Sequence, residues 1–336
     1  MPRSKEQILA EARAMFQREL ESFVPERVFD SHFEIWDAGA QLESGVGVSI
    51  PTRWEDLRPG LEVLHPGRRF GAALIPFSYN AEWVPVTNEW SARQADLSDG
   101  ACCSYFFVRP DDDPEWVRQE VRRLGAVGYK SYHTYASRQP TFQAEIPEYM
   151  PERLVEVAHQ EEWVINMHLV KSAAVADPSN IHWIRHYCQK YPGITLVLSH
   201  SARGFQPEHN LAGLPQLADL ENLYFDSSVN CEPTAHQAVI RMMGHDRLLY
   251  GTDYPCSHVL GKYLAVGDSF IVLEESDPVW EAAYAEITPA LVGMEHLRSL
   301  KWACWGLGCS DAQVEAIFWD NAQRVFGRFL SSGAGV

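Results

Sequence analysis

Four short runs in this chain end on side chains that bind metal ions or move protons. Asp30-Ser31-His32-Phe33-Glu34, Met167-His168-Leu169, Ser199-His200-Ser201 and Thr252-Asp253-Tyr254 each close a β-rich segment. In the first run, strand alternation aims residues 30, 32 and 34 at one face. Two imidazoles, two carboxylates and a spare imidazole would therefore converge if these strand ends met. Nitrogen and carboxylate oxygen donors suit Zn2+, Mn2+ or Fe2+, and three or four protein ligands leave room for water. A lone histidine on a strand is ordinarily a hydrogen-bonded core or rim residue, so the joint pattern carries the argument. Asp30 is expected to orient a neighbour or cap backbone.

The elements that must position these residues follow a regular rhythm. Strand-like runs occur at 27–36, 70–77, 104–108, 128–134, 163–170, 194–201, 223–229 and 247–254. Between them lie helical stretches with clear start signals, among them Asp113-Pro114 and Asp177-Pro178, where the acid can cap and the proline fits the first turn. Strand and helix alternating eight times predicts an α/β fold, a (β/α)8 barrel. An open doubly wound sheet is the alternative, and it fits less well because no glycine-rich phosphate loop follows an early strand. The length of 336 residues suits one barrel domain spanning the chain. An extra helix is expected over 4–23 and a closing helix over 311–330. Residues 37–69 and 78–103 are long connections. Residues 256–310 form an insertion after the eighth strand, with Phe270, Trp280, Tyr284, Trp302 and Trp305. Loops after barrel strands lie on the catalytic face, so this insertion is a candidate lid.

Composition removes several function classes. With 45 Asp+Glu against 28 Lys+Arg the formal charge is −17, and no basic cluster offsets it, which argues against nucleic acid and anionic membrane surfaces. Hydrophobic residues make up 46% of the chain, enough for a sizeable core. Seven cysteines without a CxxC pair point to a reducing compartment rather than a disulfide framework. No run approaches a membrane span and the first twenty residues lack a signal-like apolar stretch, so a cytoplasmic protein is expected. No G-x-S-x-G elbow occurs, and Cys102, Cys103 and Cys256 lack a patterned base for thiol catalysis. His182 and His186, four apart on an expected outer helix, read as surface residues because Trp183 stands where HExxH requires glutamate.

The runs DSHFE (30–34), MHLV (167–170), LSHSARG (198–204), YGTDYP (250–255) and IFWDNAQRVFG (317–327) resemble the amidohydrolase superfamily. Within it they are similar to the amidohydrolase-2 branch, which includes aminocarboxymuconate-semialdehyde and resorcylate decarboxylases together with pyrone-dicarboxylate and sugar lactonases. The resemblance spans about 27–330. It implies one divalent ion, Zn or Mn, on His32, Glu34, His168 and Asp253. It also implies that His200 orients or activates water and that Asp253 shuttles a proton. The chain departs from the family in Glu34, where a second histidine is usual. A second carboxylate offsets more of the ion's charge, lowers the pKa of bound water less, and shifts preference toward Mn2+.

Three further residues are candidate substrate contacts. Lys130 stands on the fourth strand, where other branches carry a carboxylated lysine bridging two metals; with one ligand set visible it reads as a substrate or outer contact. Tyr132 is expected to face the same way and His133 the opposite way. Arg203 could pair with a substrate carboxylate. The Arg109-Pro110-Asp111-Asp112 run is expected to neutralise itself. The leading expectation is a metal-dependent hydrolase opening an amide or lactone, with Asp253 as proton shuttle and His200 steadying the developing oxyanion. A nonoxidative decarboxylase on the same residues is the second reading, and a non-catalytic ligand-binding barrel, motivated by Glu34, the third. A homodimer is implied by the resemblance alone.

Overall fold

In the computed structural model, which describes residues 4–36, 53–275, 277 and 289–330, the β-rich runs become parallel strands. β1 (Arg27–Ile35), β2 (Arg69–Pro76) and β3 (Cys102–Ser104) pair in that order. β4 (Phe106–Phe107), β5 (Gly128–Ser131), β6 (Val164–Met167), β7 (Thr195–Leu198), β8 (Leu223–Asp226) and β9 (Leu248–Leu249) form a second consecutive set. Tyr105 joins the two sets. Its N–H donates to Leu74 O at 2.8 Å, and Val127 N donates to Ser104 O at 2.8 Å. The third barrel strand is thus β3 and β4 together, broken at one residue.

The circle closes between the eighth strand and the first. Ser31 N donates to Tyr250 O at 2.8 Å, Asp253 N to His32 O at 2.8 Å and Glu34 N to Tyr254 O at 3.1 Å. The fold is the expected (β/α)8 barrel, and its eighth strand continues β9 as far as Tyr254. A barrel has no free edge, so every strand's backbone groups find partners.

Each parallel crossover carries a helix outside. Asp113 accepts from Glu115 N and Trp116 N ahead of the helix Pro114–Leu124, and Asp177 accepts from Ser179 N and Asn180 N ahead of Pro178–Lys190. These satisfy first-turn donors that have no intrahelical acceptor. The lower interior is apolar: Phe29, Ala73, Ile75, Tyr105, Val127, Val164, Val197 and Leu249 pack with Trp319, Val325 and Phe326 of the closing helical segment. Phe29 stacks on Phe326 at 5.5 Å. The N-terminal ends of the strands are thereby plugged, and polar side chains are left to the other end.

The expected extra helix forms over Lys5–Met15 and continues as a π turn, Phe16–Leu20. It is tied to the helix Val292–Leu307 by Arg298 Nε to Glu19 Oε2 at 2.8 Å. The insertion also holds an antiparallel hairpin, β10 (Gly261–Val266) and β11 (Ser269–Glu274). All seven cysteines are free thiols, and among the described residues no helix is long and apolar enough to cross a membrane.

Candidate active site

β1 does not run straight into the site. Its register with β2 shifts between Asp30 and Phe33, a bulge that changes which side chains face inward. Phe29 joins the apolar interior and His32 and Glu34 follow it upward, whereas Asp30 turns to the neighbouring strand. Asp30 accepts from His32 N at 2.9 Å and Thr252 N at 2.9 Å, and from the Thr252 hydroxyl. The expected common face of residues 30, 32 and 34 is therefore corrected to 32 and 34. Asp30 has the backbone-binding role expected of it.

His32 is the hub. Its Nδ1 lies 2.9 Å from Asp226 Oδ2 at the end of β8, and its Nε2 lies 3.4 Å from Asp253 Oδ1 and 4.0 Å from Glu34 Oε1. A carboxylate beside Nδ1 accepts its hydrogen, so Nε2 presents the lone pair. Asp226 is shared: Asn166 Nδ2 reaches it at 3.2 Å, and His200 N and Ser228 N donate to Oδ1 at 2.9 and 3.2 Å. Below the ring, Lys130 Nζ donates to Asn166 Oδ1 at 2.6 Å and Ser199 Oγ at 3.4 Å, and faces His32 Nε2 at 3.5 Å. Asp226, Asn166, Ser199 and Ser228 were not among the sequence candidates. The rule that found Asp253, a carboxylate ending a strand, applies equally to Asp226 in LYFD.

His200 departs from its strand. β7 ends at Leu198, and His200, Ser201, Ala202 and Arg203 take left-handed φ values of 59°, 51°, 59° and 56°. A non-glycine run in this region costs about 1–2 kcal/mol per residue, so its surroundings must impose it. They do so through hydrogen bonds: Asn230 Nδ2 donates to His200 O at 3.2 Å, Asn210 Nδ2 to Ser201 O at 2.7 Å and Gly204 N to His200 O at 2.9 Å. Gly204 lets Asn210 approach this turn, because a Cβ there would sit 2.1 Å from Asn210 Oδ1. The turn delivers His200 to the centre, with its ring 5.0 Å from His32 and 5.1 Å from His168. Ser228 lies against its Nδ1, O at 3.2 Å and Oγ at 2.9 Å.

His168 follows β6 and is half-buried among aromatic rings, 4.9 Å from Tyr132 and 6.0 Å from His133. The expectation that His133 faces away from Tyr132 is corrected. The strand stops at Ser131 and a 3-10 turn begins at His133, so period-two alternation ends before either ring. Arg203 is buried, with Nη1 donating to Lys171 O at 3.0 Å and its guanidinium 4.6 Å from the Phe142 ring and 5.3 Å from Phe270. No carboxylate pairs with it among the described residues. Arg109, by contrast, is paired with Asp112 at 2.8 Å, the self-neutralisation expected.

The insertion reaches the site through its hairpin. Phe270 and Tyr263 pack on Phe205 at 4.6 and 5.0 Å, and Phe205 stacks on His200 at 5.5 Å. Trp302 and Trp305 do not cover the site; they are 47% and 82% exposed on the outer helix. Trp280 and Tyr284 lie outside the described residues.

Burial governs the electrostatics. It pushes the Glu34 carboxyl up to about 8, with the Asp253 charge adding to the effect, and it raises Asp253 as well. It pulls His200 down to about 4, and lowers His32 and His168. Burial also works to raise Asp226, yet His32, His200 and Ser228 hold that carboxyl below the usual range. The imidazoles are neutral near pH 7, as ligands and bases must be.

These residues fit one divalent ion. His32, Glu34 and Asp253 offer ligand atoms that all lie within 4.8 Å of one another, and His32, His200 and Asp226 make a second such group. Two crowded carboxylates with raised proton affinity are a site that a cation relieves. His168 belongs to neither group, but its buried Nδ1 has no hydrogen-bond partner, a donor atom left for a ligand.

A family model described as amidohydrolase matches residues 28–328. No curated protein matches the sequence. Solved structures do. A dihydroxybenzoic acid decarboxylase from Polaromonas sp. JS666, with bound manganese and 2-nitroresorcinol, is 15% identical over 93% of this chain and 100% of its own, at a TM-score of 0.57. A candidate 2-pyrone-4,6-dicarboxylic acid hydrolase from Pseudomonas putida is 17% identical over 92% and 100%, at 0.55. An amidohydrolase from Burkholderia multivorans is 14% identical over 90% and 99%, at 0.60. At these identities the likeness is one of fold.

Proposed function

Because the chain belongs to the amidohydrolase family, and is thus an enzyme, we propose that it is a metal-dependent hydrolase opening a lactone or amide of a small carboxylate-bearing molecule. The observation that carries this reading is the convergence of His32, Glu34 and Asp253 within 4.8 Å, with His200 beside His32. In this reading His32, Glu34, Asp253 and His168 hold one Mn2+ or Zn2+ ion. The ion supplies carbonyl polarisation and eases deprotonation of water.

The chain's own groups do the rest. Nδ1 of His200 lies against the Ser228 carbonyl, an acceptor, so Nδ1 carries the hydrogen and Nε2 the lone pair. A neutral ring in that tautomer accepts from water and orients it. It does not donate to an oxyanion, so the expected oxyanion role is replaced by water positioning. Asp253 takes the water's proton and returns it to the leaving group; its raised proton affinity suits both halves of that task. Arg203 meets a substrate carboxylate. Its guanidinium has donors to spare, and burial pulls it down only to about 10, so it stays charged. Tyr132, packed on His168, borders the substrate.

Decarboxylation of an aromatic acid is the second reading, favoured by the aromatic wall of Phe205, Tyr263 and Phe270 beside Arg203. The reading also includes a single barrel domain, a homodimer on the family resemblance, and a cytoplasmic location on the seven free thiols. The deciding experiment offers the Mn2+-loaded protein carboxylated lactones, amides and hydroxybenzoic acids in H2(18)O. Label in a ring-opened or cleaved acid is the expected result. CO2 release with no hydrolysed product installs the lyase reading, and no turnover on any class removes both.

Asp226 is expected to matter through His32. Asp226→Asn removes the charge that holds the Nδ1 hydrogen, and should weaken metal retention about 10–100-fold, read by elemental analysis after dialysis against a chelator. Unchanged retention would leave Asp226 with a purely structural place.

A further inference from the structure

Beneath the candidate metal ligands lies a lysine that the proposed reaction does not use. Lys130, 1% exposed, projects from β5 beneath His32. An ammonium has three hydrogens, and Lys130 has three acceptors: Asn166 Oδ1 at 2.6 Å, Ser199 Oγ at 3.4 Å and His32 Nε2 at 3.5 Å. The last contact is the unusual one. With the Nδ1 hydrogen given to Asp226, Nε2 carries the ring's lone pair, and it is the same Nε2 that faces Asp253 at 3.4 Å and Glu34 at 4.0 Å. The lysine therefore caps the atom a metal ion must take.

The surroundings hold it there. Asn166 gives its carbonyl oxygen to Lys130 and to Ser199 Oγ, the latter at 2.9 Å, while its amide reaches Asp226 at 3.2 Å. The amide is thus fixed by neighbours on two strands, and its oxygen can only point at the ammonium. Burial pulls the proton affinity of Lys130 below its ordinary value, and the charges of Glu34, Asp226 and Asp253 work against that, so three carboxylates favour the ammonium where water is excluded. A divalent ion taking these donors adds its charge next to that of the ammonium.

We propose that Lys130 is a built-in counter-cation that competes with the divalent ion for the His32, Glu34 and Asp253 donors, holding these groups together without metal and setting how tightly the ion is retained. The inference rests on the metal reading above and gives that site a second, internal occupant. It also gives Glu34 a place: an added carboxylate is one more negative charge for either cation to meet.

The test uses the full chain, stripped of metal, with affinity for Mn2+ and Zn2+ measured by competition against a fluorescent chelator and melting temperature read with and without each ion. Lys130→Met fills a similar volume without charge; Lys130→Gln also keeps a donor for Asn166 and Ser199. Both variants are expected to bind each ion at least tenfold more tightly than the wild type, to melt lower when stripped, and to gain more on loading. A variant that folds only with the ion present is the same result in its extreme form. Equal or weaker affinity in the variants, with wild-type binding intact, overturns the proposal and leaves the metal reading standing. Failure of both variants to fold even with the ion overturns it too, since a charge that the ion replaces is dispensable in its presence. No binding by the wild type or either variant overturns the metal reading, and the proposal with it.

Discussion

Replacing Asp253 by asparagine should lower kcat at least a thousandfold, within the range of a lost proton-transfer group, while the melting temperature stays level or rises. The two halves of this expectation have separate physical grounds. Turnover falls because an amide cannot accept the water's proton, and the carboxylate facing His32 Nε2 at 3.4 Å is gone. Stability holds because the residue's backbone sits at φ 53°, where asparagine is among the few residues at ease, and its N–H still reaches His32 O at 2.8 Å. Burial disfavours the ionised carboxyl, so the fold carries a cost at neutral pH that the neutral amide removes. A stable and inactive protein is the outcome to look for, by thermal melting beside turnover of whichever substrate the product assay finds. More than a tenth of wild-type kcat would dismiss Asp253 as the proton shuttle. A collapsed fold would show that the charge is structural.

Asp253 and His32 are legible in the sequence for a physical reason. In a parallel barrel the C-terminal strand ends share one face, so a polar side chain closing an apolar run is a positional signal as well as a chemical one. That rule placed His32, Glu34 and Asp253 together. It also holds for Asp226, the carboxylate that ends the run LYFD. The rule fails where the backbone stops being a strand. The bulge after Asp30 inserts a residue and changes the alternation; nothing in DSHFE announces it. The left-handed turn at His200–Arg203 contains no glycine until Gly204, so local propensity argues against it, and only hydrogen bonds from Asn210 and Asn230 reveal why it persists. The orientation of His133 escapes alternation for the same reason, since β5 ends at Ser131 and a 3-10 turn begins at His133. The aromatic insertion was half legible: Phe270 reaches the site, whereas Trp302 and Trp305 face solvent, and composition alone does not distinguish a lid from an outer face.

Two histidines outside the catalytic centre should make the fold sensitive to mild acid. His65 and His296 flank the buried Tyr250, His65 with Nε2 at 2.7 Å from the Tyr250 hydroxyl and His296 stacked on its ring at 5.6 Å. Burial pulls His65 down to about 3, and burial with the neighbouring His236 charge pulls His296 well below its ordinary value. Each is neutral in the fold and takes a proton near pH 6.5 when unfolded, so the unfolded state binds more protons below that pH. The stability contributed is full above about pH 6.5 and is lost as pH falls toward the folded value. Between pH 7.5 and 5 the loss from His65 is about 2 kcal/mol, and His296 adds to it in the same direction. Asp30, pushed up to about 7 by burial, and Glu34 work the other way, gaining protons in the fold over the same window. The slope of the wild type alone is therefore a difference of opposing terms. The informative quantity is the comparison with His65→Phe/His296→Phe, since any fixed cost of the substitutions, including the unpaired Tyr250 hydroxyl, cancels between the two pH values. Urea unfolding of metal-stripped proteins at both values should show the wild type losing at least about 2 kcal/mol more than the double variant. Equal losses would mean that these imidazoles are protonated in the fold, and that the region around Tyr250 admits enough water or charge to keep them so.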